Sequence, residues 1–402
     1  MNTIDIGIFG RRNVGKSSMI NVIAGQDVAI VSEIPGTTAD PVRKRMEIFG
    51  LGPCVLIDTA GIDDEGGLGQ KRVARTLDAV RQIDLAVLVF TGDAFDAPEE
   101  RMMELLGRYS VPVILVHGKS DNGPAGDSLC RSLQRKYGLQ PLEFSSTAPE
   151  SERRPMLEAL LDSFRKNAEA AAVRFAERPM FDGIVHDGEH VLLVCPIDSE
   201  APTGRLILPQ VNAIRNLLDV GAVATVIQPH SLDRIFSERR PGVDLVVTDS
   251  QVFSEVAAAV PDSIPMTSFS MLLARSKGCF REYCEGTPEI SRLQDGDRIL
   301  ILESCSHHSS CDDIGRVKIP AMMRRYTGKA LTFDVVGGLD SIERPMTDYA
   351  LVLQCGGCMI TRRQLYSRLL PAIENDVPVS NYGMAISYMK GIYERALRPL
   401  LR

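Results

Sequence analysis

The sequence has no tryptophan, and aromatic residues make up only 5% of its 402 positions. It also lacks a surplus of positive charge: 45 lysines and arginines face 52 aspartates and glutamates, a formal net charge of -7. A surface that tracks nucleic acid or anionic lipid needs clustered cations, with aromatic platforms where bases stack. Both scarcities therefore argue against a general nucleic-acid or membrane-surface binder. No apolar stretch approaches the ~20 residues that span a bilayer; the longest, such as 85–90 and 111–116, have the length of strands. Ile4-Asp5-Ile6-Gly7-Ile8-Phe9 follows the start with no basic region, apolar core or cleavage site, so no signal peptide and a cytoplasmic location are expected. Internal repeats and low-complexity segments are absent as well. What is present, 44% hydrophobic and 24% charged residues, is the composition of an ordinary soluble protein long enough for two to four domains. Nine cysteines in a reducing compartment are poor candidates for a disulfide framework, so a clustered subset points to metal or catalysis. Cys54, Cys130, Cys195, Cys279 and Cys284 are scattered and read as small buried hydrophobes.

From residue 4 to about 165 short apolar runs alternate with helical stretches. Residues 4–9, 54–58, 84–90, 111–116 and 141–144 read as strands, and 17–24, 70–81 and 128–137 as helices. This is the pattern of a parallel sheet covered by helices. An Ala-, Glu- and Arg-rich run, 167–177, reads as a helical connector. A second α/β block has strands at 191–194, 222–227 and 244–247 and helices at 208–220 and 251–259; it carries no phosphate-binding loop, so a binding or assembly role is expected of it rather than a second active site. A third block has strands at 298–302 and 349–353 and helices near 321–326, 362–369 and 385–397.

The first strand runs into Gly10-Arg11-Arg12-Asn13-Val14-Gly15-Lys16-Ser17, a G-x-x-x-x-G-K-S loop between a strand and a helix. Glycines let the backbone wrap phosphates, the loop and helix amides of residues 10–18 point at them, Lys16 reaches the β and γ oxygens, and the Ser17 hydroxyl holds magnesium. Ser18 follows in the same helical turn. Asp58-Thr59-Ala60-Gly61 ends an apolar strand, where Asp58 holds magnesium through water and the Gly61 amide senses the γ-phosphate. Pro35-Gly36-Thr37-Thr38 lies where an order–disorder switch would bring Thr38 to the metal. Gly118-Lys119-Ser120-Asp121 supplies a carboxylate for guanine N1 and N2 and a lysine stem for the base, and Ser145-Ser146 completes the series. A chance glycine turn does not explain five elements in order.

These motifs resemble a GTPase domain of the TrmE–Era type, with Gly-Thr-Thr in its first switch and Asp-Thr-Ala-Gly in its second. The resemblance implies GTP/GDP and magnesium as ligands and Lys16, Thr38 and Asn13 as catalytic residues, Asn13 by helping to bind a potassium ion. Two departures stand out. Gly118 replaces the asparagine of the usual Asn-Lys-x-Asp, and losing one neutral hydrogen bond, about 0.5–1.5 kcal/mol, weakens binding up to roughly tenfold. Ile62 stands where Ras-like enzymes carry a water-orienting glutamine, so slow intrinsic hydrolysis is expected.

Cys305-Ser306-His307 follows the strand at 298–302, and Cys355-Gly356-Gly357-Cys358 follows the strand at 349–353. Both lie at carboxyl ends of strands, where α/β sheets gather ligands. Three thiols with a histidine suit a closed tetrahedral zinc, or an iron–sulfur cluster with one iron open to an exchangeable ligand. Unrelated buried cysteines are the bland alternative.

The GTPase motifs, the middle block with Ala201-Pro202-Thr203-Gly204-Arg205-Leu206-Ile207-Leu208-Pro209, and the C-terminal Cys-x-His and Cys-x-x-Cys pairs together resemble the HydF family of FeFe-hydrogenase maturation GTPases. Thr267-Ser268-Phe269-Ser270 and Asp312-Asp313-Ile314-Gly315-Arg316 match it too. The resemblance implies a P-loop GTPase domain at 1–165, a small α/β dimerisation domain at 180–262 and an α/β cluster domain at 265–402. The last binds a 4Fe-4S cluster through Cys305, Cys355 and Cys358, with His307 a candidate fourth ligand, and carries a diiron precursor. Implied partners are a second copy of the chain, radical-SAM maturation enzymes and the hydrogenase; nucleic acid and membrane are not among them. Gln354 replaces a histidine of the family pattern, which leaves the fourth position to water, His307, a carboxylate or an exogenous group. His308 and Cys311 read as loop residues. The competing readings are a zinc-binding regulatory GTPase acting on RNA or the ribosome, and a plain dimeric switch with inert cysteines.

Overall fold

In a computed structural model the chain forms two compact units, Met1–Ala176 and Glu177–Arg402. The structure describes residues 3–25, 30–34, 42–59, 61–62, 76, 78–197, 204, 206–237, 242–304, 313–338 and 340–401.

The first unit is built on a seven-stranded sheet of order β2-β3-β4-β1-β5-β6-β7. Its strands are β1 Ile4–Gly10, β2 Ile30–Ile34, β3 Val42–Ile48, β4 Gly52–Asp58, β5 Leu85–Phe90, β6 Val113–Gly118 and β7 Leu142–Phe144. The strands from β4 to β7 in this order run parallel, as their apolar composition predicts; β5, Leu-Ala-Val-Leu-Val-Phe, is buried at every residue. The β2–β3 pair adds an antiparallel edge that the strand pattern did not suggest, because Val-Arg-Lys-Arg-Met-Glu-Ile carries three consecutive cations and few apolar residues. Ile6, Ile8, Leu85, Val87 and Val89 share a core with Met19, Ile20 and Ile23 of helix Lys16–Ala24 and Leu157, Leu160 and Phe164 of helix Glu150–Arg174. Each such fully buried side chain contributes about 1.5–3 kcal/mol. The expected connector at 167–177 is largely the end of that last helix, and only residues 76 and 78–82 of the helix expected at 70–81 and its flank are described.

The second unit holds two four-stranded parallel sheets. One, of order β11-β10-β8-β9, contains β8 His190–Val194, β9 Val223–Ile227, β10 Leu245–Thr248 and β11 Met266–Ser268. The other, of order β13-β12-β14-β15, contains β12 Arg298–Leu302, β13 Thr332–Val336, β14 Leu351–Gln354 and β15 Val379–Asn381. Val191, Leu193 and Val247 of the first sheet and Leu300, Leu302 and Val352 of the second belong to one hydrophobic cluster. Helices Leu208–Val220 and Arg362–Glu374 begin where the apolar periodicity put them. The single helix expected at 385–397 is two, Tyr382–Met389 and Tyr393–Leu397, because the chain turns at Lys390 and Gly391. Among the described residues no helix is long and apolar enough to cross a membrane.

Candidate functional site

The nucleotide site forms where β1 ends. The backbone of Gly10, Asn13 and Gly15 takes positive φ values of 148°, 59° and 102°, so the loop curls back on itself with its amides inward. Helix Lys16–Ala24 starts at Gly15 with no side-chain cap and no acidic residue in its first turn, which leaves its N-terminal amides for an anion. Val14 is buried and anchors the loop, while Arg12, Asn13, Ser17 and Ser18 are exposed. Lys16, though buried, has its ammonium at 2.9 Å from the Gly10 carbonyl oxygen and 2.8 Å from that of Arg11. It spans the loop where the β and γ oxygens of a nucleotide would lie.

Ser17 and Asp58 lie together: the Ser17 hydroxyl donates to Asp58 Oδ2 at 2.5 Å. Parallel pairing of Ile8 with Asp58 brings the end of β4 to the start of the helix. A hydroxyl and a carboxylate at contact distance are hard oxygen donors that fit magnesium. Thr59 is buried and bonded through its hydroxyl to the Ile8 carbonyl at 2.7 Å, and the Ile62 amide reaches the Gly10 carbonyl at 3.3 Å, so the half-buried Gly61 is held beside the phosphate loop. Thr38 and its neighbours 35–37, like Ala60, lie outside the described residues.

On the guanine side, Asp121 is exposed and accepts hydrogen bonds from Ser145 Oγ at 2.6 Å and Thr147 Oγ1 at 3.3 Å. The Ser145 bond leads in holding the Asp121 carboxyl below the usual carboxylate range, which favours its ionised, hydrogen-bond-accepting form. Ser145, fully buried, also accepts the amides of Thr147 and Ala148. Lys119 is exposed, with its backbone in the left-handed region at φ 55°. Gly118 has a steric reason: a Cβ there would lie 2.8 Å from the Val14 carbonyl oxygen, so the phosphate loop packs where an asparagine side chain would begin.

Two features escaped the sequence reading. Arg11 forks onto the buried Glu99, with Nε and Nη2 each 2.7 Å from its oxygens, and its Nη2 reaches Asp96 Oδ1 at 2.5 Å. The Asp96…Glu99 spacing at the start of helix Ala97–Arg108 is a capping box, which marks the helix start but not its arginine partner. The second is the contact of His117 with Glu143.

In the second unit, residues 305–312 lie outside the described residues, so the structure says nothing of Cys305, His307, His308 or Cys311. Cys355 and Cys358 are free and half-buried. The Cys355 sulfur accepts the Ser304 amide at 3.1 Å and Gln354 Nε2 at 3.4 Å, and its thiol lies 3.0 Å from Ser304 Oγ. Ser304 follows β12 and Cys355 follows β14, so adjacent strand ends bring the two together. Burial raises the Cys358 thiol, and the proximity of Cys355 adds to the rise. A half-buried thiol whose ionisation is opposed by burial and by its neighbour fits a cationic metal or cluster, which would favour its thiolate. The capping box of Thr361 and Gln364 starts the next helix and fixes the end of this loop. Gln354 is fully buried, with Nε2 at 3.0 Å from Ser304 Oγ and 3.2 Å from the Cys355 carbonyl; Oε1 has no partner among the described residues. Its amide sits beside the Cys355 sulfur as a donor. Among the described residues no three metal-ligating side chains cluster.

The phosphate loop, the Ser17–Asp58 pair and the Asp121 carboxylate after β6 together define a GTPase domain of the P-loop class. Residues 5–119 match the 50S ribosome-binding GTPase family. Residues 180–278 match the hydrogen maturase F dimerization domain and 281–399 the hydrogen maturase F tetramerization domain, more than half of the chain together. The chain belongs to the hydrogen maturase F family. Its GTPase part is 41% identical over 119 residues to the tRNA modification GTPase MnmE of Nitrosomonas europaea, covering 29% of this chain and 26% of that protein. It is 35% identical over 156 residues to GTPase Der of Kosmotoga olearia, covering 36% and 35%. The chain thus spans a quarter to about a third of the length of these curated relatives. Among solved structures, Aquifex aeolicus Era bound to GDP.AlF4- is 24% identical over 40% of this chain and 57% of that one, with a TM-score of 0.33.

Gly118→Asn restores the usual guanine motif on paper and is expected to lower nucleotide affinity by about fivefold or more, since overpacking against a backbone oxygen costs about 1 kcal/mol or more. Titration with a fluorescent GDP analogue measures this; tighter binding would mean that the phosphate loop yields.

Proposed function

We propose that the chain is a GTP-hydrolysing scaffold and carrier in FeFe-hydrogenase maturation. It would hold a 4Fe-4S cluster on Cys305, Cys355 and Cys358, take up a diiron precursor with radical-SAM partner enzymes, and deliver it to the apo-hydrogenase in the cytoplasm. The observation that carries this reading is the Cys355 sulfur under the Ser304 amide and the Gln354 side chain, 3.1 Å and 3.4 Å away, in a chain of the hydrogen maturase F family. The cluster would supply a redox-active, thiolate-held group with an exchangeable iron. The chain's own part is to bind: Ser304 and Gln354 orient one sulfur, and His307 is the candidate for the open position. Residues 1–165, 180–262 and 265–402 divide as GTPase, dimerisation and cluster domains.

In the GTPase part, Lys16 and the loop amides would bind the β and γ phosphates, Ser17, Thr38 and Asp58 would hold magnesium, and Asp121 would select guanine. Ile62 offers no group to orient water, so turnover would be slow. Hydrolysis would act through ordering of the switches and the docking of partners.

Anaerobically purified protein is expected to contain iron and acid-labile sulfide, and Cys355→Ala or Cys358→Ala to lose both. Stoichiometric zinc instead, or full iron in the cysteine variants, would sink the cluster assignment. GTP hydrolysis is expected to run several-fold faster in potassium than in sodium chloride, because Asn13, exposed in the phosphate loop, would help bind a cation beside the phosphates; equal rates remove that role.

The homodimer reading rests on β9. It is an edge strand whose Val223 and Val226 are 54% and 43% exposed, and Leu218 on the preceding helix is 65% exposed. An apolar edge of this kind is a template for pairing with a second copy. Val226→Lys is expected to shift the protein toward monomer in light scattering, whereas an unchanged mass would place the interface elsewhere.

A further inference from the structure

β6 and β7 run parallel with His117 opposite Glu143 and Gly118 opposite Phe144. The first pair stands directly behind the two guanine loops: His117 precedes Gly118-Lys119-Ser120-Asp121, and Glu143 precedes Phe144-Ser145. His117 is 1% exposed; its Nδ1 lies 2.6 Å from Glu143 Oε2, and its ring tilts against Phe90 at 5.4 Å between centroids. Nε2 has no partner among the described residues, so within them Glu143 is the hydrogen-bond partner of the imidazole. The second Glu143 oxygen accepts the Ala125 amide at 3.0 Å, on the far side of Asp121. One carboxylate therefore grips the guanine loop at both ends. Asp121 closes the opposite way, accepting the Ser145 hydroxyl at 2.6 Å. Two carboxylates, one from each loop, stitch the same pair of loops together.

This matters because Gly118 has no side chain with which to tie the loop. We propose that Glu143 is a positioning residue for guanine recognition: by holding His117 and the Ala125 amide it fixes residues 118–125 so that the Asp121 carboxylate faces N1 and N2 of the base. Glu143 does not itself touch the nucleotide. The inference rests on the reading of Asp121 as the guanine acceptor and deepens it.

The test uses the full-length protein and fluorescent analogues of GDP and IDP, the second lacking the 2-amino group that pairs with Asp121. Glu143→Ala gives up two hydrogen bonds and should raise the Kd for GDP about tenfold, mainly through faster release. It should also narrow the preference for GDP over IDP, which a loss of stability alone would not do. Glu143→Gln is the rescue: its oxygen still accepts from Ala125 and its amide donates to the other imidazole tautomer, so affinity should stay within about threefold of the parent. Glu143→Asp, whose shorter arm cannot reach both partners, keeps the experiment readable if the alanine variant does not fold, and should narrow the preference too. A parental GDP-to-IDP ratio in the alanine and aspartate variants overturns the proposal. Asp121→Ala is the separate check on the underlying reading: if it binds GDP as the parent does, the guanine assignment itself fails, whatever Glu143 does.

Discussion

A Cβ at residue 10 would lie 2.2 Å from the Val89 carbonyl oxygen of β5, and one at residue 118 would lie 2.8 Å from the Val14 carbonyl oxygen. The phosphate loop is folded over the ends of β5 and β6 so closely that backbone meets backbone on both sides. Everything in the nucleotide site leans on that approach. Lys16 can reach the Gly10 and Arg11 carbonyls because the loop is drawn tight, and the Ile62 amide can reach Gly10 because the end of β4 lies alongside. Arg11, bonded to the buried Glu99, holds the outer turn. Breaking that pair would leave a buried carboxylate without its cation, a loss of about 3–5 kcal/mol. The glycine at 118 is therefore part of the packing.

The cysteine site follows the same geometry with different atoms. Parallel strands release their chains at one edge of the sheet, and β12 and β14, being neighbours, release Ser304 and Cys355 side by side. In the GTPase unit the strand ends present backbone amides, a hydroxyl and carboxylates, the hard donors that suit phosphate and magnesium. In the second unit they present sulfur under amide donors, which suits a soft metal or a cluster. Gln354 illustrates how little a substitution need disturb. An amide is a poor iron ligand, yet buried beside Cys355 it can still donate to the sulfur and to its carbonyl neighbour.

The sequence revealed most where burial is two-sided or spacing is rigid. β5 announces itself as six consecutive buried apolar residues, helix Leu208–Val220 by its periodicity, and the phosphate loop by its glycines and its position between strand and helix. It revealed less where a partner decides the outcome. β3 carries three consecutive cations and is a strand because β4 pairs with it; β11, β13 and β15 receive their register from β10, β12 and β14. The fork of Arg11 on Glu99 and the pair of His117 with Glu143 join residues 88 and 26 positions apart. No local pattern encodes such contacts; they appear only when register is known. Gly118 looked like a simple loss from the motif, since its reason lies in the neighbouring loop.

A GTPase domain joined to a unit of the kind proposed to carry cargo can influence that unit only as far as GTP and GDP differ in affinity for its conformational states. Tight nucleotide binding by itself shifts nothing; a change from mostly one state to mostly the other needs a difference of about 5.5 kcal/mol. Contacts made with the γ-phosphate can supply that difference, because they vanish on hydrolysis, while contacts with the base are the same for GTP and GDP. Looser guanine recognition at Gly118 would therefore lower affinity for both nucleotides alike and leave the switching energy untouched. It would change residence time, so that the proposed carrier could reset by exchanging nucleotide as well as by hydrolysis.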